Sequence, residues 1–203
     1  MEQYKRILLK EFDSKQKVIT ELINLEAILN LPKGTELYLS DIHGEFEAFD
    51  YILRTCAGNL NEKINDCFGE ELSKAEKDKL TLLIAYPQEV LSDGFLYPLK
   101  DKSWYGEIIQ NLLILLTFVA AKYTRSKVRK ALPPQYAYVI EELLYTDRNL
   151  PDSNIYFETI QNYLIDLGEA SQFISALAKV IRQLIIDHLH IVGDIFDRGA
   201  AAD

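Results

Sequence analysis

The sequence predicts an α/β chain that is mostly helical and carries a small parallel sheet. Three observations predict this. A strand-like run lies near each end, ELYLS at 36–40 and HLHIV at 188–192. Each run opens directly onto a short polar cluster of aspartate and glycine, the composition of a strand end turning into a loop. Between the runs lie roughly 140 residues of helical periodicity, far beyond an ordinary connection and therefore domain-sized.

From Glu2 to Asn30 apolar residues recur at helical spacing, at Ile7, Leu8, Phe12, Ile19, Leu22, Ile23 and Leu29, with a break at Asp13-Ser14 where a new N-cap fits. Pro32-Lys33-Gly34 makes a turn into the first strand. After Gly44 the helical period returns through Phe46, Phe49, Ile52, Leu53 and Cys56. Ser73-Lys-Ala-Glu76 has the form of a capping box and starts a helix that fails near Pro87. Asp93-Gly94 and Pro98 mark loop. A long helix is expected from about Trp104 to about Lys130, stopped by Pro133-Pro134 and followed by a shorter one through Tyr136 to Tyr145. Loop residues Asn149 to Asn154 lead into a helix that Gly168 interrupts. Its continuation carries an amphipathic stripe from Phe173 to Ile185. The 12 tyrosines and nine phenylalanines sit mostly at helical spacing and are expected in the core.

With 203 residues, 48% of them hydrophobic and 26% charged, the chain can bury a sizeable core. A formal net charge of −9 argues against a nucleic-acid partner, because affinity for the phosphate backbone comes from Lys and Arg. A small anionic substrate would need local positive charge from a metal or a placed arginine. Cys56 and Cys67 form no CxxC pair, and MEQYKRILLK lacks the apolar stretch of a signal peptide, so a reduced, cytoplasmic setting is expected. The longest apolar run, LLILLTFVAA at 112–121, falls short of the ~20 residues of a bilayer span. It reads as a buried helix, with no membrane partner.

The chemistry gathers at the two strand ends. Asp41-Ile42-His43 follows the first strand, so in extended backbone its two polar side chains project to one side while Ile42 points to the other. A carboxylate and an imidazole together suit a divalent ion such as Mn²⁺ or Fe²⁺. Gly193-Asp194-Ile195-Phe196-Asp197-Arg198-Gly199 follows the second strand, and its five specified residues would coincide by chance in roughly one such chain in several thousand. Gly193 lets the backbone turn close to an ion, and Asp194 offers two oxygens, enough to bridge two metals. Asp197 is placed to orient Arg198 or a histidine, and Arg198 brings a planar charged fork for phosphate oxygens. His188 and His190 lie back along the strand, on one face, as packed or hydrogen-bonded residues. Lys122, Arg125, Lys127, Arg129 and Lys130 form a basic cluster with two readings. One is a solvated helix end complementing its dipole; the other is an anionic-effector site at Lys127, Arg129 and Lys130.

DxH followed by GDxxDRG resembles the metallophosphoesterase, or calcineurin-like phosphatase, superfamily. Asp41, His43, Asp194, Asp197 and Arg198 match its first two blocks. More narrowly, SDIHGEF, KYTRSKVRKALPP, HLHIVGDIFDRG and the long helical insertion resemble the N-terminal part of the class III fructose-1,6-bisphosphatase family. The resemblance implies a truncated calcineurin-like α/β fold. Residues 1–60 would be the first part of the catalytic domain, 61–186 a helical insertion, and 187–203 the second strand and its motif. It further implies a two-metal site, usually supplied with Mn²⁺ and with Mg²⁺ or Fe²⁺ as alternatives, whose ligands here would be Asp41, His43 and Asp194. Asp197 and Arg198 would be catalytic, and Arg198 would hold the phosphate. The implied reaction removes the 1-phosphate of fructose 1,6-bisphosphate in gluconeogenesis. The superfamily's later GNH block and further histidines are absent from these residues, so the chain is expected to be an N-terminal portion that hydrolyses little by itself. Homo-oligomerisation through an open sheet edge is a further expectation. Two alternatives stay open: a metallophosphatase for another phosphoester, which the long insertion disfavours, and a non-catalytic helical oligomerisation or regulatory module.

Overall fold

Ser14 separates the first two helices, α1 (Glu2–Glu11) and α2 (Lys15–Leu29), by accepting a hydrogen bond from the Lys17 amide in the computed structural model, which describes residues 2–92, 96–146 and 152–199. Strand β1 (Glu36–Ser40) leads into α3 (Phe46–Arg54). Left-handed backbone at Cys56, Ala57 and Gly58 then ends that run and starts α4 (Asn59–Phe68), an element the sequence reading did not separate. The capping box expected at Ser73 forms in full, with Glu76 reaching back to the Ser73 amide, and opens α5 (Lys74–Ala85). Pro87 ends α5 as expected but also begins α6 (Pro87–Ser92), where its missing N–H costs nothing.

The single long helix expected from Trp104 to Lys130 is two helices, α7 (Lys102–Ala120) and α8 (Arg125–Ala131). The break has a local cause: the Thr124 hydroxyl accepts from the Lys127 amide at 3.3 Å and caps a new helix in a stretch without glycine or proline. Then follow α9 (Ala137–Tyr145), α10 (Ser153–Asp166), α11 (Ala170–Ile185) and β2 (His188–Val192). Gly168, at φ +76, turns the chain between α10 and α11. The loop expected at Asp93-Gly94 and the first part, 149–151, of the loop expected from Asn149 to Asn154 lie outside the described residues, while Ser153 and Asn154 already belong to α10.

The buried core draws its side chains from residues 56 to 185, with α7 and α11 packed against each other at its centre. Leu112, Leu113, Leu115, Leu116 and Val119 of α7 are buried there, so the apolar run is a core helix, although α7 is by length and composition apolar enough to cross a membrane. Among the described aromatic residues only Phe68, Phe157 and Phe173 are buried. Tyr86, Tyr97, Tyr105, Tyr123 and Tyr136 pack against the core half-buried while other tyrosines are exposed, so the expectation of an aromatic core holds only in part.

The sheet of the described residues has two strands. β1 and β2 pair in parallel, Glu36 beside His188 through Ser40 beside Val192, as expected. Asp187 ties the start of both strands to the helical core. It is 3% exposed, accepts from the Thr35 amide at 2.8 Å, and pairs with Lys122 at 3.0 Å and Lys127 at 2.6 Å. Burial alone pushes its carboxyl up, but hydrogen bonds including those from Lys127, Lys122 and Thr35 outweigh this and hold it well below the usual carboxylate range. α2 buries no side chain, and Leu22, Ile23 and Leu29 are exposed.

Candidate metal centre at the strand tips

Parallel pairing in register brings both chains out of the sheet at the same edge. The two emerging loops are joined by backbone hydrogen bonds: the Asp41 amide donates to Val192 O at 3.3 Å, His43 to Asp194 O at 3.2 Å, and Gly44 to Ile195 O at 2.7 Å. Asp41 and Asp194 thus stand at neighbouring strand tips. Achieving this requires unusual backbone. Asp41 and His43 both have φ +51, and Gly44, Gly193 and Gly199 lie at +69, +99 and +100. Non-glycine residues enter this region at a cost of order 1 kcal/mol each, and Asp41 and His43 are two of the five such residues among those described.

This backbone corrects one expectation. Asp41 and His43 are not extended, so strand alternation does not bring their side chains together. Among the described residues, His43, Asp194 and Asp197 form the group whose ligand atoms all lie within 4.8 Å of one another. Asp41 stands outside that group, with its carboxylate against Gly193; a β-carbon there would meet Asp41 Oδ1 at 2.5 Å. The Asp197 carboxylate hydrogen-bonds His43 Nδ1 and lies 3.3 Å from Arg198 Nε, touching both partners named for it. With Nδ1–H given to Asp197, the lone pair of His43 Nε2 is the ring's free donor, and Arg198 Nη2 lies 3.5 Å from it. Arg198 is 73% exposed against 24% for His43, which leaves the guanidinium free to swing away. Gly199 supplies a contact that sequence reasoning missed. Its α-carbon lies so close to the first loop that a β-carbon would stand 1.8 Å from His43 O. The glycine beside Arg198 was the available signal.

His188 and His190 sit away from this cluster on β2, as read from their spacing. His190 stacks on Tyr38 with ring centroids 4.5 Å apart and faces Glu36 at 3.3 Å. Four members of the basic cluster have partners within the fold. Lys122 and Lys127 pair with Asp187, Arg129 pairs with Glu141 at 2.6 Å, and Arg125 stacks over Tyr145. Lys127 and Arg129 each pair with a carboxylate, as the reading of a charge-complementing helix end expects, although Lys127 shares Asp187 with Lys122.

Strand tips carrying an imidazole, two carboxylates and a guanidinium define a protein with nitrogen and oxygen donors for a divalent ion beside a fork for an oxyanion. A family profile described as Firmicute fructose-1,6-bisphosphatase matches residues 3–203, and the chain belongs to that family. It is 67% identical over 202 residues to a fructose-1,6-bisphosphatase class 3 of Streptococcus gordonii and 68% identical to that of Streptococcus sanguinis, each match covering all of this chain. Against the protein of the same name from Listeria monocytogenes it is 50% identical over 99% of its length. In each case the chain spans 31% of the relative. No solved structure matches it.

Proposed function

We propose that this chain supplies the first part of the active site of a metal-dependent phosphomonoester hydrolase that converts fructose 1,6-bisphosphate to fructose 6-phosphate and phosphate in gluconeogenesis. The observation that carries this is the meeting of His43 with Asp197, 154 positions apart, at adjacent strand tips with Asp194 and Arg198 alongside. Residues 1–60 and 187–203 would belong to a calcineurin-like catalytic domain and 61–186 to its insertion. The donor set suits Mn²⁺, with Mg²⁺ or Fe²⁺ as alternatives, and the whole enzyme would use two ions. Here His43 Nε2 and the Asp194 carboxylate would hold a metal, and Asp41 would join after a side-chain rotation at Gly193. When bound, the ions supply Lewis-acid polarisation of a phosphoryl oxygen and a more acidic water.

The chain's own residues do the rest. Asp197 fixes the His43 ring and its tautomer. Arg198 leaves Nε2, turns its fork to two phosphate oxygens, and balances the charge that builds there as water adds to phosphorus and the ester P–O bond breaks, the water's proton passing to the departing sugar oxygen. A sugar bisphosphate is the proposed partner, in the cytoplasm, without nucleic acid or membrane. The test is a chimera in which these 203 residues replace the matching part of the Streptococcus gordonii relative. It should release phosphate from fructose 1,6-bisphosphate, and Arg198→Ala should lower kcat by about 100-fold or more. An active chimera indifferent to Arg198→Ala would remove Arg198 from the reaction; one that spares fructose 1,6-bisphosphate but cleaves another phosphoester would move the substrate.

Homo-oligomerisation, expected from the sequence at the open sheet edge, is proposed instead through the α1–α2 groove, about 530 Å³ and lined by Leu8, Leu9, Phe12, Leu22 and Leu25. Lys5 and Glu21 also line it, so a second copy would meet one charge of each sign beside the apolar surface. Sedimentation velocity should register a dimer that Leu22→Glu dissociates. A monomer at every concentration would rule out the pairing.

A further inference from the structure

One face of α11 is apolar and buried, with Phe173, Ile174, Leu177 and Ile181 in the core. The opposite face carries Ser171, Ser175, Lys179 and Arg182, spaced four, four and three residues apart, a polar stripe along one side of the helix. This stripe forms a wall of a cleft of about 830 Å³, closed on other sides by Arg54 of α3 and by Gln88 of α6. None of the residues at the strand tips lines it.

The cleft holds more positive charge than its fold neutralises. Arg54 is paired with Asp50 at 2.6 Å and lies 3.6 Å from Glu89. Among the described residues Arg182 forms no ion pair, and neither does Lys179. Arg182 donates to Ala85 O at 3.2 Å, the same carbonyl that Arg54 approaches at 3.4 Å. Two guanidinium groups therefore converge on one oxygen, with most of the Arg182 donors left over. Burial, and then the charge of Arg54, pull the Arg182 guanidinium below its usual value, against the opposing pull of Asp50 and Glu89, which also line the cleft.

We propose that this cleft binds a phosphate-bearing small molecule. The phosphate sits between Arg182 and Lys179, because a planar fork matches two of its oxygens while the ammonium takes a third. The volume is that of a small-molecule site rather than of a bare ion, and Pro87, Leu91 and Ala176 give the organic part an apolar surface. Binding here is independent of the metal centre and of the hydrolase reading.

The test is calorimetric titration of the metal-free 203-residue chain in chelator, using inorganic phosphate, a sugar monophosphate and a nucleoside monophosphate in separate arms. One of the two esters should bind saturably and more tightly than phosphate, and which one does identifies the source. Arg182→Gln should weaken it by about 10-fold, the scale of one charge-assisted hydrogen bond. Lys179→Ala, at an exposed position, should do likewise and decides the matter if Arg182→Gln fails to fold. Arg198→Ala should leave the affinity unchanged. Absence of saturable binding, equal affinity for bare phosphate, survival of affinity in Lys179→Ala, or its loss in Arg198→Ala would each overturn the proposal.

Discussion

Gly199→Ala is expected to weaken Mn²⁺ binding by the chain at least 10-fold while leaving its helical core intact. The new β-carbon would stand 1.8 Å from His43 O and 2.9 Å from His43 C, so the collision is with backbone and no side-chain rotation relieves it. Gly199 also has φ +100, where an L side chain is strained in any case. The second loop must therefore lift from the first, carrying Asp197 off the His43 ring and Arg198 with it. Loss of such an orienting partner typically lowers metal affinity 10–100-fold, by about the factor expected here. The core is built from residues 56 to 185 and lies outside the two loops, so thermal melting followed by circular dichroism should barely change. Gly193→Ala is milder, since its β-carbon meets the Asp41 carboxylate, which can rotate. A wild-type Mn²⁺ titration curve for Gly199→Ala would refute the close packing of the loops as the basis of the site.

Asp187→Asn is expected to destabilise the chain by about 3 kcal/mol at neutral pH, because it leaves Lys122, 18% exposed, without its counter-charge. Lys127 is half exposed and contributes less. The pH dependence follows from the depressed carboxyl. A group whose folded value lies below its unfolded value stabilises fully above the unfolded value, about 3.9, and loses that contribution as pH falls toward the folded one. Urea unfolding at pH 7 and at pH 3 should therefore give a gap between wild type and Asp187→Asn that narrows in acid. A gap that stays constant would mean that Asp187 acts through shape rather than charge. Because Asp187 holds the starts of β1 and β2, through Thr35 and its own amide, the substitution should also loosen the sheet that carries the candidate metal centre.

Much of this fold was legible because its signals are local. The Ser14 cap, the Ser73–Glu76 capping box, the Gly168 interruption and both strands each depend on a few neighbouring residues and fall where the sequence puts them. The parallel pairing was legible for a chemical reason, since two strand ends with complementary candidate metal ligands imply a shared edge. The break at Thr124 was not, because a threonine cap looks like any other threonine until the chain turns there. α4 was missed although Leu60, Ile64 and Phe68 repeat at helical spacing; the turn that isolates it rests on left-handed backbone at Cys56 and Ala57, which composition does not announce.

At the site, the sequence by itself determined which chemical groups are available: an imidazole, three carboxylates, a guanidinium and the glycines that let two loops approach. It also determined that they leave parallel strands side by side, because residue types and spacing carry that information. Only the tertiary structure decided how they meet. It turned Asp41 and His43 into left-handed backbone, set Asp197 on the His43 ring and kept Asp41 apart at Gly193. It likewise paired Lys127 and Arg129 with carboxylates while leaving Arg182 without one among the described residues. Charge pairing and close backbone approach depend on distances between segments remote in the chain, and those distances exist only once the helical core has packed.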